Sequence, residues 1–518
     1  MYRKIDNNKR IADSLKLIID SLQAVILSSE APKKKKNKNK DGNDDIDYSL
    51  FTIHPEDAEA DDPASSSADN GNDLVLRNII TGEEIVFYNV LEYFFSKTNE
   101  KLLVELARNP RDSFSIPQVL LYDCKNAKTT ILSKSGNEFK NFAMTDYGSQ
   151  IAYLAERDAK PKELQKFYKL WYYKEGMDSA ALLVDKFSVG MKLGMTISEF
   201  GNLNFSKSGK RLFFGTAPIQ PPKDTTLVEF DHAKLDIWHY KDDYLQSVQN
   251  FPTRLRAAQQ ENFLTVYDLE TKNIKLLGSK EIPQVLQTNE GDGDRFVGVT
   301  DFGKRIEGQW RGTTLKDIYA IDVNTGGKKK IKENLFGTAY PSSTGKYIMW
   351  YDRKARNYFA WDGTTTRNIT EKIKVPLYNE EYDMPDEPTN YGVMGWHEGD
   401  SAVYVYDKYD VWAIDLNSVV VPKNITGFGR PSKSTYRYLK LNEDEKFITF
   451  TQPVHFRSQN QETKESSLVV GEISQNVPMI ATIDGGKYSF SMVSKSRNSD
   501  DIIYVKENYI QAPDLYIN

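Results

Sequence analysis

The sequence predicts an all-β fold: a β-propeller of about eight four-stranded blades, seven being the other count its spacing allows, preceded by a short amphipathic helix and a disordered linker. Three observations carry this. A strand, turn, strand unit recurs at intervals of roughly 50 residues; a second strand ending in Asp follows many of its copies; and the composition suits twisted, half-buried sheets, with 12% aromatic residues including 30 Tyr and 25 Phe.

Residues 1–29 read as the helix, because Ile11, Leu15, Ile18, Ile19, Leu22, Val25 and Ile26 fall on one face at helical spacing. Such a face docks on the propeller, on a neighbouring protein or, as a surface anchor, on lipid. Met1-Tyr2-Arg3-Lys4 is basic, but no apolar core and small-residue cleavage site follow, so no secretory signal is read here. Residues 30–73 form the linker. Lys33 to Lys36, with Lys38 and Lys40, are answered by an acidic, Ser-rich stretch from Asp41 to Asp73 that cancels their field within about one Debye length.

The propeller spans 74–518. Its clearest repeat is Leu203-Asn204-Phe205-Ser206-Lys207-Ser208-Gly209-Lys210-Arg211-Leu212-Phe213-Phe214, where Gly209 takes the positive φ that closes a hairpin and an aromatic β run follows. Sister turns lead into Leu102-Leu103-Val104, Ile151-Ala152-Tyr153-Leu154, Phe296-Val297-Gly298-Val299, Tyr347-Ile348-Met349-Trp350, Ala402-Val403-Tyr404-Val405, Phe447-Ile448-Thr449-Phe450 and Ile502-Ile503-Tyr504-Val505. One hairpin cannot stand alone in water, so each copy needs the next to cover it. The Asp-ended strands include Leu121-Tyr122-Asp123, Val266-Tyr267-Asp268, Ile321-Asp322, Trp361-Asp362 and Ile414-Asp415. The longest gap between copies holds an insertion at about 217–260, with Ile237-Trp238-His239-Tyr240 inside it. A stretch that long is a lid, a partner contact or a packing arm across a blade edge.

A net charge of −5 argues against nucleic acid as the main partner. The single Cys124 cannot make an internal disulfide, and no run of about 18 apolar residues predicts a transmembrane segment. His232 and His239 would need a further ligand to hold zinc and read as solvent-facing or hydrogen-bonded. Gly291-Asp292-Gly293-Asp294 lacks the later Glu of a calcium loop and reads as a hairpin turn. No cofactor or metal site is predicted.

Several strings carry a resemblance. Leu170-Trp171-Tyr172-Tyr173-Lys174-Glu175-Gly176-Met177-Asp178, Phe213-Phe214-Gly215-Thr216-Ala217-Pro218, Tyr391-Gly392-Val393-Met394-Gly395-Trp396 and Tyr406-Asp407-Lys408-Tyr409-Asp410-Val411-Trp412 resemble the propeller of prolyl oligopeptidase family serine peptidases of Bacteroidetes type, in the dipeptidyl-peptidase-like branch. The resemblance covers most of 74–518. It implies a separate C-terminal α/β-hydrolase domain carrying Ser, Asp and His, with the propeller admitting only peptides that can enter. It also implies paired propeller glutamates that hold a substrate's free amino terminus through charge-assisted hydrogen bonds. Glu380 and Glu381 are the candidate pair here, although Tyr378-Asn379-Glu380-Glu381-Tyr382 does not reproduce the surrounding dipeptidyl-peptidase motif, and a solvated acidic loop is the other reading.

The chain departs from the family at the nucleophile. A strained strand-to-helix elbow needs Gly-x-Ser-x-Gly, and no serine here has glycine at both positions. Ser401 comes nearest, with Gly399 before it but Val403 after it, in a stretch that reads as a blade hairpin; it is expected to be structural. No catalytic residue is therefore predicted. The expected function is a non-catalytic, substrate-gating propeller of a prolyl oligopeptidase-like serine peptidase, a fragment whose hydrolase lies beyond residue 518. Its partners would be that hydrolase domain, a peptide substrate and a second copy in a homodimer, with no nucleic acid. The alternative is a stand-alone interaction propeller of the bacterial envelope, contacting its partner through the insertion. The resemblance implies a periplasmic or envelope location if the N-terminus is truncated; otherwise the location is cytoplasmic. A propeller glycosidase finds no sialidase box and no marked carboxylate pair.

Overall fold

The computed structural model describes residues 71–518, apart from 110–111, 113, 161–162, 223–224, 227, 229–234, 236, 443, 450–451, 473–478 and 497–498. The predicted N-terminal helix, and the linker up to residue 70, lie outside the described residues. The first strand, Asn72–Arg77, already takes up the end of the expected linker.

Eight antiparallel sheets follow one another along the described chain: 72–134, 138–184, 195–276, 284–335, 337–368, 393–424, 434–486 and 489–517, here sheets 1 to 8. The expected uniform four strands give way to five in sheets 1 and 3 and three in sheet 8. Sheet 1 gains its extra strand because Glu84–Phe95 runs twelve residues and changes register between Val90 and Glu92. Its first half pairs with Asn72–Arg77, its second with Lys101–Leu106.

Period-2 alternation explains how the sheets stack, because successive side chains on a strand point to opposite faces. In Arg211–Pro218, Leu212 and Phe214 pack towards sheet 2 while Phe213 packs towards sheet 4. Ile348 and Trp350 likewise face sheet 4, and Tyr347, Met349 and Tyr351 face sheet 6. The central strands are thus apolar on both faces, which is why their sequences run as continuous aromatic and aliphatic stretches. The cluster about Phe87, Leu102 and Tyr122 lies within sheet 1, and each of the others joins two consecutive sheets, through to Leu468 of sheet 7 against Phe490, Ile502 and Tyr504 of sheet 8. Burying one such side chain stabilises the fold by about 1.5–3 kcal/mol, so these clusters hold the stack together.

The repeated turns do something further. Thr98 N donates to Asp146 O at 3.2 Å, linking sheet 1 to sheet 2. Lys207 pairs with Asp146, and Lys207 N donates to Glu290 O at 3.1 Å. Asn289 N reaches Ser343 O at 2.8 Å, Thr344 bonds the Asp400 carboxylate, and Glu398 N reaches Ile448 O at 3.3 Å. Asp444 then pairs with Lys97, back in sheet 1. The turns of sheets 1 to 7 therefore form a closed circuit, and sheet 8 packs on sheet 7.

Within the turns a hydroxyl recurs. Ser96, Thr145, Ser206 and Ser342 each accept the backbone N–H of the residue five positions on, at 2.9–3.1 Å. Gly209 and Gly345 supply left-handed backbone at φ 70° and 80°. The Asp-ended strands close a second set of turns: Asp123 Oδ1 accepts from Lys125 N and Asn126 N at 3.0 Å, and Asp362 Oδ1 from Thr364 N and Thr365 N at 2.9 and 2.8 Å.

One expected strand is displaced. Phe447-Ile448-Thr449-Phe450 does not begin the second strand of sheet 7, which starts at Pro453. Ile448 N instead donates to Trp396 O at 2.9 Å, drawing this segment onto the first strand of sheet 6; Phe450 lies outside the described residues. No helix among the described residues is long and apolar enough to cross a membrane.

The circuit's links differ in burial, and so in worth. Asp400 is 2% exposed; Asp400→Ala strands the Thr344 donors and lowers stability by about 2–3 kcal/mol. The Lys97 and Asp444 side chains are about half exposed, so Lys97→Ala costs less than about 1 kcal/mol. Urea denaturation of the two variants checks the difference.

Candidate functional site

The first strands of sheets 2 and 4 and, from sheet 3, Asn202 to Asn204, Gly215, Asn262 and Leu264 converge on a cavity of about 700 Å³. Its polar lining consists of carboxamides, Asn141, Asn202, Asn204, Asn262 and Gln287, and none of its eleven lining residues is charged. The strands set these groups in place. Asn141 sits at φ 53° in a bulge between Lys140 and Ala143, and its Nδ2 donates to Glu199 O at 2.7 Å and Gly201 O at 3.0 Å. It thereby ties sheet 2 to the segment entering sheet 3. Asn204 Nδ2 lies 3.3 Å from Gln287 Oε1, joining sheets 3 and 4.

One wall owes its shape to missing side chains. A Cβ built on Gly215 would lie 2.5 Å from Gly201 Cα and 2.7 Å from Asn262 Oδ1, so two backbones meet where only glycine fits. A second cavity, of about 240 Å³, shares Leu203 and Asn204 with the first and is walled by Asp146, Lys207 and Glu290. These charges are already paired: Lys207 with Asp146, and Glu290 with Lys446, which joins the turn of sheet 4 to the segment between the first two strands of sheet 7. The Asp146 hydrogen bond holds the Lys207 ammonium above its usual range. The result is a neutral, amide-lined cavity beside a charged and self-neutralised mouth.

Glu380 and Glu381 lie elsewhere, in the connection between sheets 5 and 6. Glu380 takes both terminal nitrogens of Arg430 at 3.1 Å, and Glu381 takes Lys408 Nζ at 2.6 Å. Arg430 is held in turn: its backbone N donates to Asp410 Oδ2 at 3.0 Å, and its guanidinium lies 5.2 Å from the Tyr409 ring centre. Asp407 and Asp410, each 1% exposed, are fixed by the Trp412 indole and by Thr426 and Gly429. The structure thus keeps the two glutamates adjacent but gives each its own cation, which an incoming ammonium would have to displace. Sequence reasoning did not find Arg430 and Lys408, because they reach the pair from far along the chain.

Ser401 follows the short 3-10 turn Glu398–Asp400, between antiparallel strands, and donates to Glu398 O at 3.2 Å. His397 is buried with Nδ1 3.0 Å from Tyr404 Oη, and burial holds its pKa below the usual range. His239 is exposed and His232 lies outside the described residues. Asp292 accepts from Ser208 N at 2.7 Å and Asp294 pairs with Arg211, so this loop fastens sheet 4 to sheet 3. Among the described residues no three His, Cys, Asp or Glu side chains gather to hold a metal ion.

A buried acid stands out between sheets 1 and 2. Glu105 is 7% exposed, and burial first, then Glu92 and Glu138, push its carboxyl up to about 8. Glu92 is its partner on the adjacent strand.

No protein-family model and no curated protein matches the chain. Solved structures similar to it include the β-propeller domain of the Trilobed protease from Pyrococcus furiosus, at 12% identity and TM-score 0.28, covering 83% of this chain and 92% of that one. The dipeptidyl peptidase 4 of Porphyromonas gingivalis is 12% identical at TM-score 0.38, over 85% of this chain. An acylaminoacyl peptidase from Pyrococcus horikoshii is 11% identical at TM-score 0.29, over 81% of this chain. The chain spans 64% and 58% of the lengths of the last two. At these values the architecture rests on the strand pairings above.

Two variants test the site's physics. Gly215→Ala costs about 1–3 kcal/mol by overpacking, read by urea denaturation. For Glu105 the folded pKa exceeds the unfolded one, so its contribution is complete below pH ~4.5 and is lost as pH rises through about 8. Glu105→Gln escapes that loss. Its melting temperature, set against the parent, rises progressively from pH 5 to about pH 8 and levels off above it.

Proposed function

We propose that this chain is the substrate-admitting propeller of a peptidase resembling the prolyl oligopeptidase family, and that peptide hydrolysis belongs to a separate α/β-hydrolase domain. The observation that carries this reading is the amide-lined cavity between sheets 2, 3 and 4, bordered by turns whose charges are paired with one another. Such a cavity offers a ligand uncharged polar contacts beside a border of little net charge. The lack of Gly-x-Ser-x-Gly supports a gating rather than a cleaving role.

Under the same reading Glu380 and Glu381 hold the amino terminus of the substrate, exchanging Arg430 and Lys408 for its ammonium. Charge-assisted bonds of this kind are roughly twice as strong as neutral ones. A second reading, an interaction propeller, is favoured by one observation: the insertion presents Trp238 and Tyr240 at 74% and 86% exposure. The intact mass of the native gene product decides between the two, since the first reading requires chain beyond Asn518.

A serine-directed fluorophosphonate probe is expected to leave this polypeptide unlabelled, while labelling at any of its serines would overturn the gating role. The double variant Glu380→Gln, Glu381→Gln is expected to lower affinity for a peptide with a free amino terminus by about tenfold, with little change for its acetylated form. Calorimetric titration of both peptides provides the check.

A further inference from the structure

The chemistry of the larger cavity goes beyond admission to selection. We infer that it binds an extended peptide segment whose side chains are uncharged; this rests on the peptide reading above and adds the substrate class.

The carboxamides are already half committed. The NH2 groups of Asn141 and Asn204 are spent on Glu199 O, Gly201 O and Gln287 Oε1, whereas the Asn141 and Asn204 carbonyl oxygens accept no hydrogen bond from the described residues. Among the described residues, no partner takes the Gln287 NH2 group or donates to the Asn262 oxygen. The cavity therefore offers acceptors with a donor among them, the complement of a peptide group. Along two of the lining segments, amides alternate with apolar residues, Asn141 with Phe142 and Asn202 and Asn204 about Leu203, while Val285 stands on the same face of its strand as Gln287. That alternation matches a ligand strand, whose backbone and side chains present polar and apolar contacts in turn.

A charged side chain entering this space finds no counter-charge in the lining and loses hydration without compensation. The charges beside it are engaged with one another: Lys207 with Asp146, Glu290 with Lys446 and Lys140 with Glu199. A neutral sugar fits less well. Phe142 is the one aromatic ring in the lining, and it packs on Phe94 and Tyr153 at centroid distances of 5.7 and 5.8 Å rather than standing free as a stacking platform.

The test titrates the full chain with acetyl-Gly-Gln-Val-Asn-Gly-amide, with the same peptide carrying Lys or Glu for Gln and Asn, and with maltotetraose. The neutral peptide is expected to bind at least tenfold more tightly than either charged one. Asn204→Asp and, independently, Gln287→Glu are each expected to weaken it at least tenfold, with circular dichroism confirming that each variant folds. Equal binding of neutral and charged peptides overturns the selection but leaves the peptide reading standing. Binding of maltotetraose without any peptide overturns both. Binding of none of these ligands overturns the inference, while the peptide reading then stands or falls on the fluorophosphonate and amino-terminus experiments.

Discussion

The fold depends on a closed circuit of turn-to-turn contacts. Eight sheets, each apolar on both faces of its central strands, would stack just as well in an open row, because face-to-face burial sets neighbours but not an end point. The Lys97 and Asp444 pair brings the turn of sheet 7 to that of sheet 1. Its own energy is small, as exposed ion pairs are. Its consequence is geometric: the turns of sheets 1 to 7 are gathered around one region, and Lys446 in sheet 7 can meet Glu290 in sheet 4.

That gathering explains the character of the cavity. Backbone that runs between strands carries polar groups outside the sheet ladder, and these need partners. Asn141 serves this need directly by bonding Glu199 O and Gly201 O across the gap between sheets. Carboxamides do so without charge, so they remain compatible with the neighbouring ion pairs. The same groups keep side-chain oxygens that accept no hydrogen bond from the described residues, and the proposed recognition draws on these.

Much of the fold was legible in the sequence because each blade repeats a local signal. Gly209, Gly345 and the Asp-ended strands mark turns through backbone chemistry that acts over a few residues, and the double-faced apolar runs mark central strands. The Ser and Thr hydroxyls at 96, 145, 206 and 342 belong to the same signal and could have been read from their constant place before each turn. Phe447 to Phe450 misled, since a β-like run says nothing about which sheet will claim it; here the backbone of Trp396 did. The site was far less legible. Asn141, Asn204, Asn262 and Gln287 are unremarkable in sequence and meet only through folding, as do Glu380 with Arg430 and Glu381 with Lys408. Glu105 sits in a strand whose pattern gave no warning that its neighbours would be Glu92 and Glu138.

The circuit is the claim on which the cavity, its selectivity and the gating role all rest. Zero-length carbodiimide cross-linking followed by peptide mass spectrometry reads it directly, because only a carboxylate and an amine in contact are joined. A closed circuit yields amide links between Lys97 and Asp444 and between Lys446 and Glu290, alongside the link expected within sheet 3 between Lys210 and Glu270. Recovery of the Lys210 and Glu270 link without the other two would contradict it.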